Sequence, residues 1–279
     1  LEIDTEKTTD DLIEWSKFSY ATWESDSSGF YYQKYNKPEA LSDINRSPQL
    51  FFHKLGDKQE DDALIYEDRQ NPDYSWSISV PEKGSYRILS IGEGTDERNF
   101  LSISLDKDLN FIPLIDEFEA TYRFIGGNED TLWFFSNLDA PNGKILSLKI
   151  ENLNFNWSEV ISEKKFPISS ASIAGDKIII NYLVDTISKV EFYDLKGNFL
   201  EQLSFEGKGT LAGFLGKLGN EVSYFEFSNF TSPQRIYELD LNTLEYRLYW
   251  ETIIKDLKVE NYESNLNFYK SKDGTDIPI

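Results

Sequence analysis

The sequence predicts an all-β protein, a β-propeller of four-stranded antiparallel blades with five blades visible, and three observations carry that prediction. First, β-branched and aromatic residues, among them 20 Phe, 16 Tyr and 6 Trp in 279 residues, fall in short runs bounded by polar turns rather than at helical spacing. Second, a pair of runs recurs: a stretch of small, hydroxyl and apolar residues, a polar turn, then a strongly aromatic or aliphatic strand. Third, another strand follows each pair, and its copies begin at Gln49, Phe100, Lys144, Lys189 and Arg235, about 45 residues apart, the length of four short strands. A single four-stranded sheet cannot bury both faces alone, so such sheets stack face to face around an axis. A β-sandwich has no reason to repeat a four-strand unit at constant spacing.

Residues 1–15 read as a linker or partial blade, in which "TTDDLIEW" from Thr8 has a capping Thr followed by acidic residues and fits one helical turn or an ordered loop. The propeller follows over 16–250, with blades at about 16–70, 74–117, 118–162, 167–205 and 209–250. Their opening pairs are "FSYATW-ESDSSG-FYYQKY", "SWSISV-PEKGS-YRILSI", "ATYRFI-GGNED-TLWFFS", "SSASIA-GD-KIIINYL" and "TLAGFL-GKLGNE-VSYFEF". Small residues recur in the first member of each pair, as a crowded position near the axis requires. Fourth runs such as "ALIYED", "FLEQLS" and "YRLYW" complete the units, and 251–279 reads as a connector with one strand.

Composition excludes several function classes. The formal charge of -21, from 49 acidic against 28 basic residues, is spread along the chain, so nucleic acid is not expected as a partner. A solvated surface explains this acidity better than a calcium or cationic-substrate role. Without cysteine the chain has no disulfide, thiolate zinc site or thiol nucleophile, and the compartment stays open between cytoplasmic and periplasmic. No apolar run reaches the ~18 residues of a membrane span, and "LEIDTEKTTDDL" lacks signal-peptide features, so no membrane partner is expected. The chain contains no Met, and both termini read as cuts in a longer protein.

No catalytic constellation is visible. His53, the only histidine, lies in the strand "LFFHKLG" and reads as a packing or hydrogen-bonding residue with no partner nearby in sequence. There is no G-x-S-x-G elbow. "DKDLNFIPLIDE", Asp106 to Glu117, has the ligand spacing of a calcium loop but carries Phe111 where the turn needs glycine. "GEGTDER" from Gly92 and "GKGTLAG" from Gly207 read as hairpin turns. The triplets at Asn45, Asn156 and Asn229 match N-glycosylation sequons only in a eukaryotic secretory setting. The five inner runs contain no Asp or Glu, with Glu119 alone beside one, which argues against a paired-carboxylate glycosidase. No catalytic residue, metal or cofactor is expected.

Several segments resemble the propeller domain of the prolyl oligopeptidase family of serine peptidases. "SPQLFFHKLGDKQEDDALIYED" from Ser47 is similar to that family's aromatic-His-x-Leu-Gly strand, acidic turn and following strand. "VPEKGSYRILSIGEGTDERNFLSISLD", "PLIDEFEATYRFIGGNEDTLWFF" and "FTSPQRIYELDL" match in order and spacing, and "FYKSKDGTDIPI" resembles the exit into an α/β-hydrolase domain. The resemblance implies a gating propeller of a post-proline endopeptidase acting on short proline-containing peptides, with the Ser-Asp-His triad in a hydrolase domain beyond Ile279. It also implies seven blades in the whole ring, two of them before Leu1. Phe135 of "TLWFFS" is the position that resembles a substrate-facing aromatic, with Phe134 and Trp133 as register-shifted rivals and packing between blades as the alternative for all three. The other class of function is a stand-alone propeller serving as a protein-interaction scaffold.

Overall fold

In the computed structural model the recurring runs become five four-stranded antiparallel sheets. The structure describes residues 4–40, 42–81, 86–105, 109–151, 154–255, 258 and 261–279. Blade one holds β1 (Thr22–Trp23), β2 (Gly29–Lys34), β3 (Gln49–Lys54) and β4 (Ala63–Glu67), and blade two β5 (Tyr74–Ser79), β6 (Arg87–Glu93), β7 (Asn99–Ser104) and β8 (Ile112–Ile115). Blade three holds β9 (Tyr122–Gly127), β10 (Thr131–Ser136), β11 (Lys144–Glu151) and β12 (Asn154–Ile161). Blade four holds β13 (Ile168–Ala174), β14 (Lys177–Val184), β15 (Ile187–Asp194) and β16 (Phe199–Gln202), and blade five β17 (Thr210–Leu215), β18 (Val222–Ser228), β19 (Arg235–Asp240) and β20 (Tyr246–Glu251). Every sheet pairs its strands in chain order, as an up-and-down meander joined by hairpins does.

The chain forms two compact units, 1–124 with 128–130 and 125–127 with 131–279. In the first, Tyr31 and Leu50 of blade one pack against Trp76, Ile78, Leu89 and Ile91 of blade two, and the Trp76 indole N–H donates to the Pro48 carbonyl at 2.8 Å. In the second, Trp133, Phe135 and Ile145 of blade three meet Ile173, Ile178, Ile180 and Tyr193 of blade four. The opposite face of blade four, with Ile179, Val190 and Phe192, packs on Leu211, Phe214, Phe225 and Leu239 of blade five. Two-sided burial of blade four explains why Ile178, Ile179 and Ile180 follow one another instead of alternating with polar residues.

One first strand departs from its sequence reading. β1 is two residues long, because Trp15 and Phe18 adopt left-handed backbone at φ 62° and 53° and end the extended run. The edge of β2 is covered differently: the Trp15 carbonyl accepts from the Tyr35 amide at 3.2 Å. Ser19 Oγ accepts from the Gln33 amide at 2.7 Å, and Ser16 Oγ donates to the Gln33 carbonyl. "TTDDLIEW" is accordingly an ordered loop.

A second repeat is visible only in the backbone. Between the third and fourth strand of every blade the register slips by one residue. The extra residue always belongs to the fourth strand: Ile65, Leu114, Val160, Leu200 and Tyr249. Such a bulge increases local right-handed twist. Pro113, which has no N–H to give, sits in β8, an outermost strand where its lost donor costs least.

After blade five, β21 (Phe268–Lys270) and β22 (Asp276–Pro278) form a separate two-stranded hairpin within "FYKSKDGTDIPI". Gly274 supplies its left-handed turn residue at φ 87°. Most of the "PEKGS" turn, and Asp106 to Asp108 of the calcium-like segment, lie outside the described residues. Among the described residues no helix is long and apolar enough to cross a membrane.

Candidate functional site

β10 carries the substrate-facing candidates and alternates them between two faces. Trp133 and Phe135 point to one side, paired across β11 with Ser147 and Ile145, and Phe134 points to the other, paired with Leu146. Phe135 keeps 7% of its surface, Trp133 4% and Phe134 none. Phe134 lies with its ring 5.1 Å from that of Trp157, and the Trp133 indole N–H donates to the Leu195 carbonyl at 3.2 Å. Phe135 sits beneath Gly143, whose φ of 88° brings its backbone onto the ring; a side chain there would collide with Phe135.

The loop after β10 is bonded to the loop that enters blade four. The Asn142 amide donates to Glu163 Oε1 at 2.5 Å, Asn142 Nδ2 to the Lys164 carbonyl at 3.1 Å, and the Ile168 amide to the Asn142 carbonyl at 2.8 Å. Lys164 then reaches into a polar cluster that the sequence reading missed. Its ammonium lies 2.6 Å from Glu191 Oε2 and 5.3 to 5.9 Å from the ring centres of Tyr182, Tyr193 and Phe199. Lys189 holds the other Glu191 oxygen at 2.9 Å, and the Tyr193 hydroxyl donates to Oε2 at 2.5 Å. Burial opposes ionisation of Glu191, but Lys164, Tyr193 and Lys189 overcome it and hold the carboxyl down at about 2. Burial and the neighbouring Glu191 push the Tyr193 hydroxyl well above the usual range. Lys164 sits on a loop, where no strand periodicity marks it.

Blade one contains a second buried cluster, in which His53 is the hydrogen-bonding residue expected, but with a partner nine residues away in sequence where none was expected. The ring is fully buried; Nδ1 lies 2.7 Å from Asp62 Oδ1 and Nε2 3.0 Å from Asp11 Oδ1. Asp62 comes from the acidic turn that follows β3, and Asp11 from the N-terminal loop 42 residues away. Asp62 Oδ2 also accepts from the Tyr32 hydroxyl at 2.6 Å, and Asp11 Oδ1 from the Gly56 amide at 2.6 Å. The acidic turn "DKQEDD" was the available signal for one partner; nothing in the local sequence points to Asp11.

A further buried pair joins blades one and two. Arg87 on β6 lies 2.6 Å from Glu24 Oε2, and the Tyr31 hydroxyl donates to the same carboxylate at 2.9 Å. Glu119, the one carboxylate beside an inner run, accepts from the Tyr122 hydroxyl at 2.7 Å. Among the described residues no group of three or more His, Asp or Glu side chains converges to hold a metal.

Five up-and-down four-stranded blades, packed face to face within each unit and holding their buried polar groups in ion pairs and hydrogen bonds, define the class as a β-propeller. The family model described as prolyl oligopeptidase, N-terminal beta-propeller domain, matches residues 1–252, and the chain belongs to that family of serine peptidases. It is 30% identical over 283 residues to a prolyl endopeptidase of Elizabethkingia meningoseptica, a match covering 100% of this chain and 40% of that one. A prolyl endopeptidase of Dictyostelium discoideum is 28% identical over 96% of this chain and 39% of its own length. Among solved structures, one from a study of two prolyl endopeptidases superposes with a TM-score of 0.85 at 28% identity, covering 99% of this chain and 40% of that one. Prolyl oligopeptidase B of Galerina marginata, bound to a 25-residue macrocyclization substrate, shares the fold with a TM-score of 0.88 at 24% identity, over 97% of this chain and 39% of that one. The chain spans about 40% of the length of the first curated relatives it matches.

Proposed function

We propose that residues 1–279 act as a gating propeller of a post-proline serine endopeptidase, and that the Ser-Asp-His chemistry resides outside this segment. The match of residues 1–252 to the family's propeller domain carries the reading. A filter needs no reactive group: stiff, closely packed blades exclude folded proteins sterically and admit flexible peptides, while the nucleophile, base and oxyanion donors belong to the catalytic domain. The inner strands support this role, since β5, β9, β13 and β17 carry no carboxylate. Phe135 is the proposed peptide-facing aromatic, supported by its being the least buried of the three β10 candidates.

The test is an assay of the longer protein and of this chain alone with a proline-containing chromogenic peptide and with a folded protein substrate. The longer protein is expected to cleave the short peptide and spare the folded one, and this chain to cleave neither. Turnover by this chain alone overturns the placement of the chemistry, and a longer protein without peptidase activity favours an interaction scaffold. Phe135→Ala in the longer protein is expected to raise KM for the peptide at unchanged kcat; unchanged KM removes Phe135 from the peptide site.

A further inference from the structure

The N-terminal loop is fastened to blade one at several points, and one of them depends on a proton. Residues 15–19 occupy the edge of β2 that a longer first strand would cover, through Trp15, Ser16 and Ser19. Just before them, Glu14 and Gln59 exchange two hydrogen bonds, each at 3.0 Å. Lys17 Nζ donates to Asn45 Oδ1 at 3.2 Å, and Asp11 is seated on the His53 ring and the Gly56 amide.

His53 has a carboxylate oxygen within hydrogen-bond distance of each ring nitrogen. A carboxylate can only accept, and a neutral imidazole has one N–H and one lone pair. The two contacts are therefore both satisfied only by the imidazolium. Taking one proton away sets a lone pair against a carboxylate inside a fully buried site, where water does not screen the repulsion.

The two sides of the ring are not equivalent. Asp62 lies nine residues from His53 on the same β3–β4 connection, makes the shorter contact, and is held on its other oxygen by the Tyr32 hydroxyl. Asp11 belongs to a loop with no strand pairing of its own in this stretch. A neutral ring keeps its single N–H on Asp62, and the Asp11 side is the one that gives way.

We propose that Asp11, His53 and Asp62 form a protonation-controlled latch that helps hold residues 8–20 against the edge of blade one and loosens them when the imidazole loses its second proton. The other groups facing the ring do not replace that proton. From β2 come the apolar Phe30 ring, 5.2 Å away, and the Tyr32 hydroxyl, already given to Asp62. From the loop comes Thr9, which with the Gly56 amide and His53 holds the Asp11 carboxyl well below the usual range. From the β3–β4 connection come Gln59, which bonds Tyr32 and Glu14, and the exposed Asp57, Lys58, Glu60 and Asp61. Burial disfavours the imidazolium, yet the hydrogen bonds and charges of Asp11 and Asp62 outweigh it and raise His53 above the ordinary value. The latch is thus closed below that raised value and opens as the pH rises through it. Asp11 stays ionised throughout that range.

The proposal stands apart from the peptidase reading, and its test needs no peptidase activity. His53 is the only histidine of the chain, so its ring resonances in a nitrogen-15 NMR titration assign themselves. Lys17, exposed within the loop, offers a trypsin site that reports release. Both ring nitrogens are expected to be protonated at pH 7. Cleavage after Lys17, normalised to a reference peptide, is expected to rise severalfold between pH 6 and pH 9. Asp11→Asn, whose amide can meet either an N–H or a lone pair of the ring, is expected to lose the pH dependence. A neutral ring at pH 7, a flat cleavage profile, or an Asp11→Asn protein that keeps the wild-type profile overturns the latch. If the variant fails to fold, the wild-type titration and cleavage profile decide alone.

Discussion

Replacing Glu191 by Gln tests how the entry loop of blade four is secured. The substitution preserves size and can still accept from the Tyr193 hydroxyl, but it removes the charge that Lys164 and Lys189 hold at 2.6 and 2.9 Å. A carboxyl brought from its ordinary 4.5 to about 2 represents about 3 kcal/mol at 1.36 kcal/mol per pKa unit. Lys164 and Lys189 keep 43% and 38% of their side-chain surface, so solvent screening reduces the expected loss to roughly 2 kcal/mol. Because the folded-state value is depressed, the contribution is present in full above the ordinary carboxylate range and is lost as pH falls toward 2. Urea unfolding of wild type and Glu191→Gln at pH 7 is expected to show that difference, and at pH 2.5 most of it is expected to vanish. A loss below about 0.5 kcal/mol at pH 7, the level of an ordinary surface change, or one that does not depend on pH, refutes the argument.

Gly143→Ala forces a Cβ into the Phe135 ring at a backbone angle that L-residues rarely adopt; a loss of about 2 kcal/mol or more is expected, read as a fall in Tm. Arg87→Ala leaves Glu24 buried without its counter-charge and is expected to cost about 3 kcal/mol. By contrast Arg46→Ala, which breaks a pair with Asp73 that is 55% exposed on both sides, is expected to cost less than about 1 kcal/mol; thermal unfolding of both variants compares them.

The third strands were legible because turn residues bound their aromatic and aliphatic runs, and Gln49, Lys144 and Arg235 are the first residues of β3, β11 and β19 in the structure. The first strand of blade one was not. "FSYATW" has strand composition, but left-handed backbone at Trp15 and Phe18 is set by the surrounding loop, and no residue type there signals it. The partners of His53 escaped for a different reason. Asp11 reaches it across 42 residues of chain, a juxtaposition that tertiary packing creates. Lys164 and Glu191 meet in the same way, a loop residue and a strand residue with no common periodicity. The β10 aromatics were legible as a group, but their division between two faces depends on a register that only the pairing with β11 fixes.

The bulge in the fourth strand of every blade has a consequence for behaviour in concentrated solution. The outermost strand of a sheet offers unpaired amide and carbonyl groups to any other chain that can match them. Here β4, β8 and β16 are only five, four and four residues long, and each contains one residue out of step with its neighbour. A foreign strand laid along such an edge meets an interrupted ladder, and on β8 it also meets Pro113. With a net charge of -21 repelling like molecules, the irregular rims disfavour edge-to-edge aggregation in a fold whose regular structure is almost wholly β-strand.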